Sequence, residues 1–181
     1  FNTFYGVNPT LANYQAQLYF SGDVTNAVVR NNIFFNDVDP TFNGYFMCVK
    51  ADVEHLSEID MDFNLFFTSD PGASIVDIVG ISGSYSMAEW PTYMSETGWD
   101  AHSPAPEDPA FINAPGGDLH LSFGSPAIGA GEVVPGVVVD HDGYPRSVPP
   151  TLGAYTYLLW PEVFRDDFES GSWSAWSTVH P

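Results

Sequence analysis

Asn32-Ile33-Phe34-Phe35 recurs as Asn64-Leu65-Phe66-Phe67, 32 residues further along the chain. No other feature restricts the fold as much. Both copies sit in β-branched and aromatic runs, Ala27 to Asn36 and Ile59 to Phe67, which suit strands better than helices. A repeat of this length reads as a unit that cannot bury its own apolar face and must stack on its neighbour. An Asn at the same bend of successive units can hydrogen-bond to the next Asn, as in stacked ladders. A β-sandwich would show the same local pattern, so two copies alone leave that alternative open.

Further strand-like runs are Leu18 to Phe20, Tyr45 to Val49 and Ile75 to Ile81, with shorter ones near 110–113, 118–122 and 137–139. Gly22-Asp23, Asp37 to Pro40 and Ser69 to Gly72 read as turns. Met87 to Trp90 reads as the start of a short helix, with Pro91 at its first turn or breaking it. Cys48, the one cysteine, lies in an apolar run and reads as a small buried hydrophobe. Phe1 is not an initiator residue, so the chain reads as a processed or truncated product. The residues divide into a main body, 1–157, and a C-terminal tail or end cap, 158–181, where composition changes after Tyr157.

Charge narrows the partners. Four basic and 23 acidic side chains give a formal net charge of −19. Nucleic acid is excluded as a partner, because phosphate neutralisation needs clustered Lys and Arg. No apolar run has the length of a membrane span. Divalent cations and uncharged glycans suit such a chain better.

The turns from Ala88 to Tyr155 carry a resemblance. They include Asp108-Pro109-Ala110-Phe111, Ser125-Pro126-Ala127-Ile128-Gly129-Ala130-Gly131 and Leu152-Gly153-Ala154-Tyr155. This succession resembles the closing segment of bacterial secreted right-handed parallel β-helix proteins of the choice-of-anchor Q type. The resemblance covers roughly residues 26–157. One departure is Thr151, where an acidic residue is usual. It implies an all-β fold: a right-handed parallel β-helix, or solenoid, of which this chain holds the C-terminal coils and a loop-rich cap. It also implies an extracellular or cell-surface location. The family mixes polysaccharide lyases, glycoside hydrolases and adhesion-type surface proteins, so fold alone assigns no reaction.

Candidate sites follow. Lyases of the implied fold use a Lys or Arg base with a cation on the uronate carboxylate, which points to Arg30 and Lys50. A hydrolase would draw two facing carboxylates from Asp52, Glu54, Asp60 and Asp62. The same four residues, with Glu58, form an acidic cluster that reads as a solvated face or a calcium site. Asp140-His141-Asp142-Gly143 has the spacing that opens a calcium loop, although position 151 lacks its Glu; a β-turn with solvated carboxylates competes with it. Calcium is thus the candidate cofactor, with Asp52, Glu54, Asp60, Asp62, Asp140 and Asp142 as metal ligands. Trp90 resembles the Trp of the family's short helix; with Trp173 and Trp176 it is a candidate sugar-stacking residue. His102 and His120 each follow an Asp by two residues and read as turn-bonded. Arg146 reads as paired with a carboxylate. The expected function is an extracellular module engaging polysaccharide, without a requirement for a complete active site. The alternatives are a cation-assisted polysaccharide lyase or glycoside hydrolase, and an adhesive surface protein that self-assembles through its ends.

Overall fold

A computed structural model describes residues 1–7, 15–37, 46–80 and 83–158. Eleven strands and one α-helix occupy them: β1 Thr3–Val7, β2 Gln15–Phe20, β3 Ala27–Arg30, β4 Ile33–Asp37, β5 Phe46–Asp52, β6 Ile59–Asp62, β7 Leu65–Thr68, β8 Ser74–Val79, β9 Gly83–Ser86, α1 Trp90–Thr97, β10 Phe111–Asn113 and β11 Asp118–Leu121. The strands form four separate sheets, ordered β1-β4-β7, β2-β5-β8-β9, β3-β6 and β10-β11.

The expected all-β right-handed parallel β-helix is therefore corrected. Parallel pairing links β1 to β4 to β7, β2 to β5 to β8, and β3 to β6. It does not continue. β9 turns back antiparallel on β8, β10 and β11 form their own antiparallel pair, and a helix intervenes. Connection length explains the change. Parallel neighbours need a crossover of about a dozen residues or more. Only short connections separate β8 from β9 and β10 from β11, and such segments close hairpins. Beyond β11 the chain runs in turns as far as Leu158, with one isolated bridge between Val139 and Pro145. Residues 159–181, which hold most of the expected tail, lie outside the described residues.

The repeat does what its chemistry suggests. Asn32 and Asn64 stand at equivalent bends. The backbone N–H and Nδ2 of Asn32 both donate to Asn64 Oδ1, at 3.1 and 2.9 Å. Asn2 donates in the same way to Asn32 Oδ1, at 2.9 and 3.1 Å. Inside this ladder runs a column of rings: Phe4 on Phe34 (4.8 Å between centroids), Phe34 on Phe66 (5.1 Å) and Phe66 against Trp90 (5.4 Å). Phe34 and Phe66 are fully buried, with Val49, Ile75, Val76 and Ile78 from the facing sheet around them.

One end of the ladder is closed by α1 and the turn after it. Ser86 and Glu89 form a reciprocal capping box that starts the short 3-10 turn before α1. Pro91 fits the first turn of α1, where its missing N–H costs no hydrogen bond. Gly98, at φ 73°, ends it. Asp100 and Ser103 then stand where another Asn would come. Asn64 Nδ2 donates to Asp100 Oδ1 (3.0 Å), and the Asn64 amide donates to Ser103 Oγ (2.7 Å).

The closing segment docks on the bend before β4. Asn31, buried and left-handed at φ 61°, accepts the Glu132 amide through Oδ1 (2.7 Å). Its carbonyl accepts the Gly153 amide at 2.9 Å. Gly153 sits at φ 81°, and a Cβ there would lie 2.6 Å from Thr3 Oγ1. Leu121, Ala127 and Leu152 complete a second apolar cluster on Ile33 and Leu65.

Candidate functional site

The residues first expected to carry chemistry are dispersed. Arg30, on β3, donates through Nη2 to both Asp60 oxygens (2.9 and 2.7 Å) and through Nη1 to Glu132. The Asp60 and Glu132 bonds outweigh partial burial and hold the guanidinium more firmly protonated than usual. Lys50, on β5 in another sheet, lies 3.6 Å from Asp77 and 5.4 Å from the Tyr19 ring centroid. Each basic residue thus faces an acid of its own. Arg146 points its guanidinium at the carbonyl oxygens of Thr151, Gly153 and Ala154, and lies over the Phe1 ring. Its hydrogen-bond acceptors are backbone carbonyls in place of the expected carboxylate.

The acidic residues separate too. Asp52 ends β5 and Glu54 lies in the 3-10 turn that follows. Asp60 is exposed on β6, whereas Asp62 is buried. The chain bends at Phe63, φ 54°, and Asp62 accepts the amides of Phe63 and His102 at 2.9 and 2.8 Å. His102 Nδ1 lies 2.6 Å from its other oxygen. Among the described residues no group of three or more His, Cys, Asp or Glu side chains has metal-holding geometry. Trp90 is only 5% exposed and packed between Phe66 and Tyr93. Trp173 and Trp176 lie outside the described residues.

The Asp140 turn is where the chemistry collects. Asp140 Oδ1 accepts the amides of Asp142 (3.0 Å) and Tyr144 (2.8 Å), and Oδ2 accepts the amide of Thr156 (2.7 Å). Both oxygens organise backbone, tying the turn to the chain's last described residues. Asp142 points the other way. Its Oδ2 lies 2.9 Å from His120 Nε2 and its Oδ1 lies 3.1 Å from His141 Nδ1. His120 Nδ1 lies 2.6 Å from Asp118, so the imidazole is held between two carboxylates. Tyr155 packs on that imidazole at 4.2 Å. Partial burial pulls the His120 pKa down, but the Asp118 and Asp142 bonds outweigh it and the net shift is upward. Hydrogen bonds from His120 and His141 hold Asp142 below the usual carboxylate range.

These groups border an open groove of about 530 Å³. Its polar side is His120, Asp142 and Thr156; its apolar side includes Ile112, Phe123, Tyr144 and Tyr157. Phe123 is 85% exposed, and Ile112 and Tyr144 are also open to solvent. The Asp118–His120 turn bond was legible from the two-residue spacing. The contact from His120 to Asp142 was not, because it joins β11 directly to a turn 22 residues further along the chain. Asp142 itself carries a spacing signal, in Asp140-His141-Asp142-Gly143, but that signal suggests a different ligand.

Comparison with protein-family models, with curated proteins and with solved structures gave no match. Among the described residues no helix is long and apolar enough to cross a membrane.

Proposed function

We propose that this protein engages polysaccharide, outside the cell or at its surface, through the groove between the Asp140 turn and β11. The observation that carries this reading is the pairing of exposed aromatic and aliphatic walls with a fixed polar floor in one open groove. A sugar ring presents apolar C–H faces and a rim of hydroxyls. Exposed rings such as Tyr144 and Phe123 suit the first, and carboxylate, imidazole and hydroxyl groups suit the second. Solvent-exposed apolar side chains clustered beside polar ones are also what a ligand groove requires. The turn framework supports the reading, since the Asp140 carboxylate fixes the backbone around Asp142, Tyr144 and Thr156 before any ligand arrives.

Calorimetric titration with soluble polysaccharides tests it, with product masses read from the same mixtures. Binding is expected for the native protein and should weaken about ten-fold for Tyr144→Ala, the loss of one aromatic contact. Unaltered binding in Tyr144→Ala and Phe123→Ala would move the site elsewhere, and shortened products would add catalysis to the reading.

A further inference from the structure

The Asn ladder has a direction, and its two ends differ. Donors pass one way along it: from Asn2 to Asn32, from Asn32 to Asn64, and from Asn64 to Asp100 and Ser103. The last rung needs acceptors, and the chain's own turn supplies them. The first rung needs donors. Asn32 Oδ1 and Asn64 Oδ1 each accept a backbone N–H and a side-chain N–H, whereas nothing among the described residues donates to Asn2 Oδ1. The ring column has the same asymmetry. Trp90 covers Phe66, but Phe4 stacks on Phe34 alone among the described rings.

The strands at that end are open. Among the described residues β1, β2 and β3 each have a strand on one side only. The Ile33 amide donates to the Asn2 carbonyl, so Asn2, Phe4 and Gly6 turn their backbone groups toward β4, and Thr3, Tyr5 and Val7 turn theirs away. Free edges are normally guarded by charges or proline. β1 and β2 carry neither, although their inner neighbours β4, β5 and β8 each hold an acidic residue and the chain has 23. Val7, Tyr19 and Val28, one on each open strand, face solvent.

A second copy of the chain does not fit this edge. Two β1 edges related by a two-fold axis pair antiparallel. Antiparallel order cannot place Asn2 on Asn2 and Phe4 on Phe4 together. Head-to-tail stacking fails too, because the Asn64 donors are taken by Asp100 and Ser103 and Phe66 lies under Trp90.

We propose that the β1 edge is a docking surface for an extended segment of another polypeptide. The segment runs parallel to β1, sets an Asn amide on Asn2 Oδ1 and stacks an aromatic ring on Phe4. Its charge is neutral or basic, since a chain of net charge −19 repels an acidic one. Fluorescence anisotropy with the full chain tests this, using a labelled peptide of core Asn-Ile-Phe-Phe-Asn flanked by lysines. A scrambled peptide of the same composition controls for charge and should bind at least about ten-fold more weakly. Replacing the first Asn or the first Phe of the peptide by Ala should each weaken binding about ten-fold. Val7→Pro, which removes an outward-facing donor, and Asn2→Ala, which removes the open acceptor, should do the same with the melting temperature retained. Equal binding of the scrambled peptide would overturn the proposal, as would affinity unchanged in both protein variants. Sedimentation of the native chain alone supplies the remaining outcome: a dimer that Val7→Pro dissociates would overturn the proposal by giving the edge to a second copy.

Discussion

Replacing Asp100 with Asn should change how stability depends on pH, because that carboxylate is buried where the Asn ladder ends. Asp100 is 1% exposed. It accepts hydrogen bonds from Ser103 Oγ (2.6 Å), Tyr93 OH (2.6 Å) and Asn64 Nδ2 (3.0 Å). Burial raises its pKa from 3.8 to about 6, against the pull of those three bonds, and Asp62 adds to the rise. The sign follows from proton counting. Between these two values the folded chain holds a proton on Asp100 that the unfolded chain has released. Stability from this group is complete below about pH 4 and is lost as pH rises through about 6. The gap from 3.8 to about 6, at 1.36 kcal/mol per pH unit, amounts to about 3 kcal/mol. Asn does not titrate, and it keeps an oxygen for Ser103 or Asn64. Urea unfolding of both proteins from pH 4 to pH 7 isolates the effect, because the other carboxylates contribute alike to each. The native chain should lose about 3 kcal/mol relative to Asp100→Asn over that range. A difference that stays flat with pH would refute the reasoning, since it would mean that Asp100 ionises in the fold at no cost.

Phe34→Ala removes the middle ring of the buried column and should cost about 3–5 kcal/mol, measured by urea unfolding. Asn32→Ala leaves Asn64 Oδ1 and the Asn2 donors short of a partner in the ladder; a loss of about 1–3 kcal/mol is expected in the same assay. Cys48 is fully buried, and burial pushes its thiol pKa far up. A thiol reagent should therefore label the folded protein negligibly and react at the rate of unfolding as urea is raised.

The repeated Asn and Phe positions were legible because side chains separated by one repeat meet their own kind. Periodicity in the chain then becomes adjacency in space, and Asn32 on Asn64 or Phe34 on Phe66 needs no other information. The reversal at β9 was within reach as well, since the connection from Val79 to Gly83 is too short for a parallel return. A family resemblance resting on later turns pointed the other way. What closes the ladder was not legible. Asp100 and Ser103 belong to a turn well beyond Asn64, and their spacing from it follows no period. They replace an Asn by matching its acceptor chemistry, with a carboxylate for the side-chain donor and a hydroxyl for the amide.

The Asp140 turn shows how little spacing alone says about a site. Asp-x-Asp-Gly spacing fits two structures equally well. In a calcium loop both carboxylates face a cation. In the turn present here, Asp140 satisfies amides at positions 142, 144 and 156, and Asp142 is left to face outward. Composition cannot separate these, because each uses the same acid for its oxygens. The separation comes from residues elsewhere in the chain. His120 lies against one Asp142 oxygen and His141 against the other, so both oxygens of the outward carboxylate have imidazole neighbours in this turn. The closing turns thus make the acidic motif one wall of a groove. Asp140→Asn should separate the two roles. It keeps one acceptor oxygen and loses the other, so the turn loosens and sugar affinity should fall although Asp142 and Thr156 are unchanged. A fall in calorimetric affinity without change in the Asn ladder's urea midpoint would place Asp140 as the residue that positions the groove. Unchanged affinity would show that the turn holds its shape without that carboxylate.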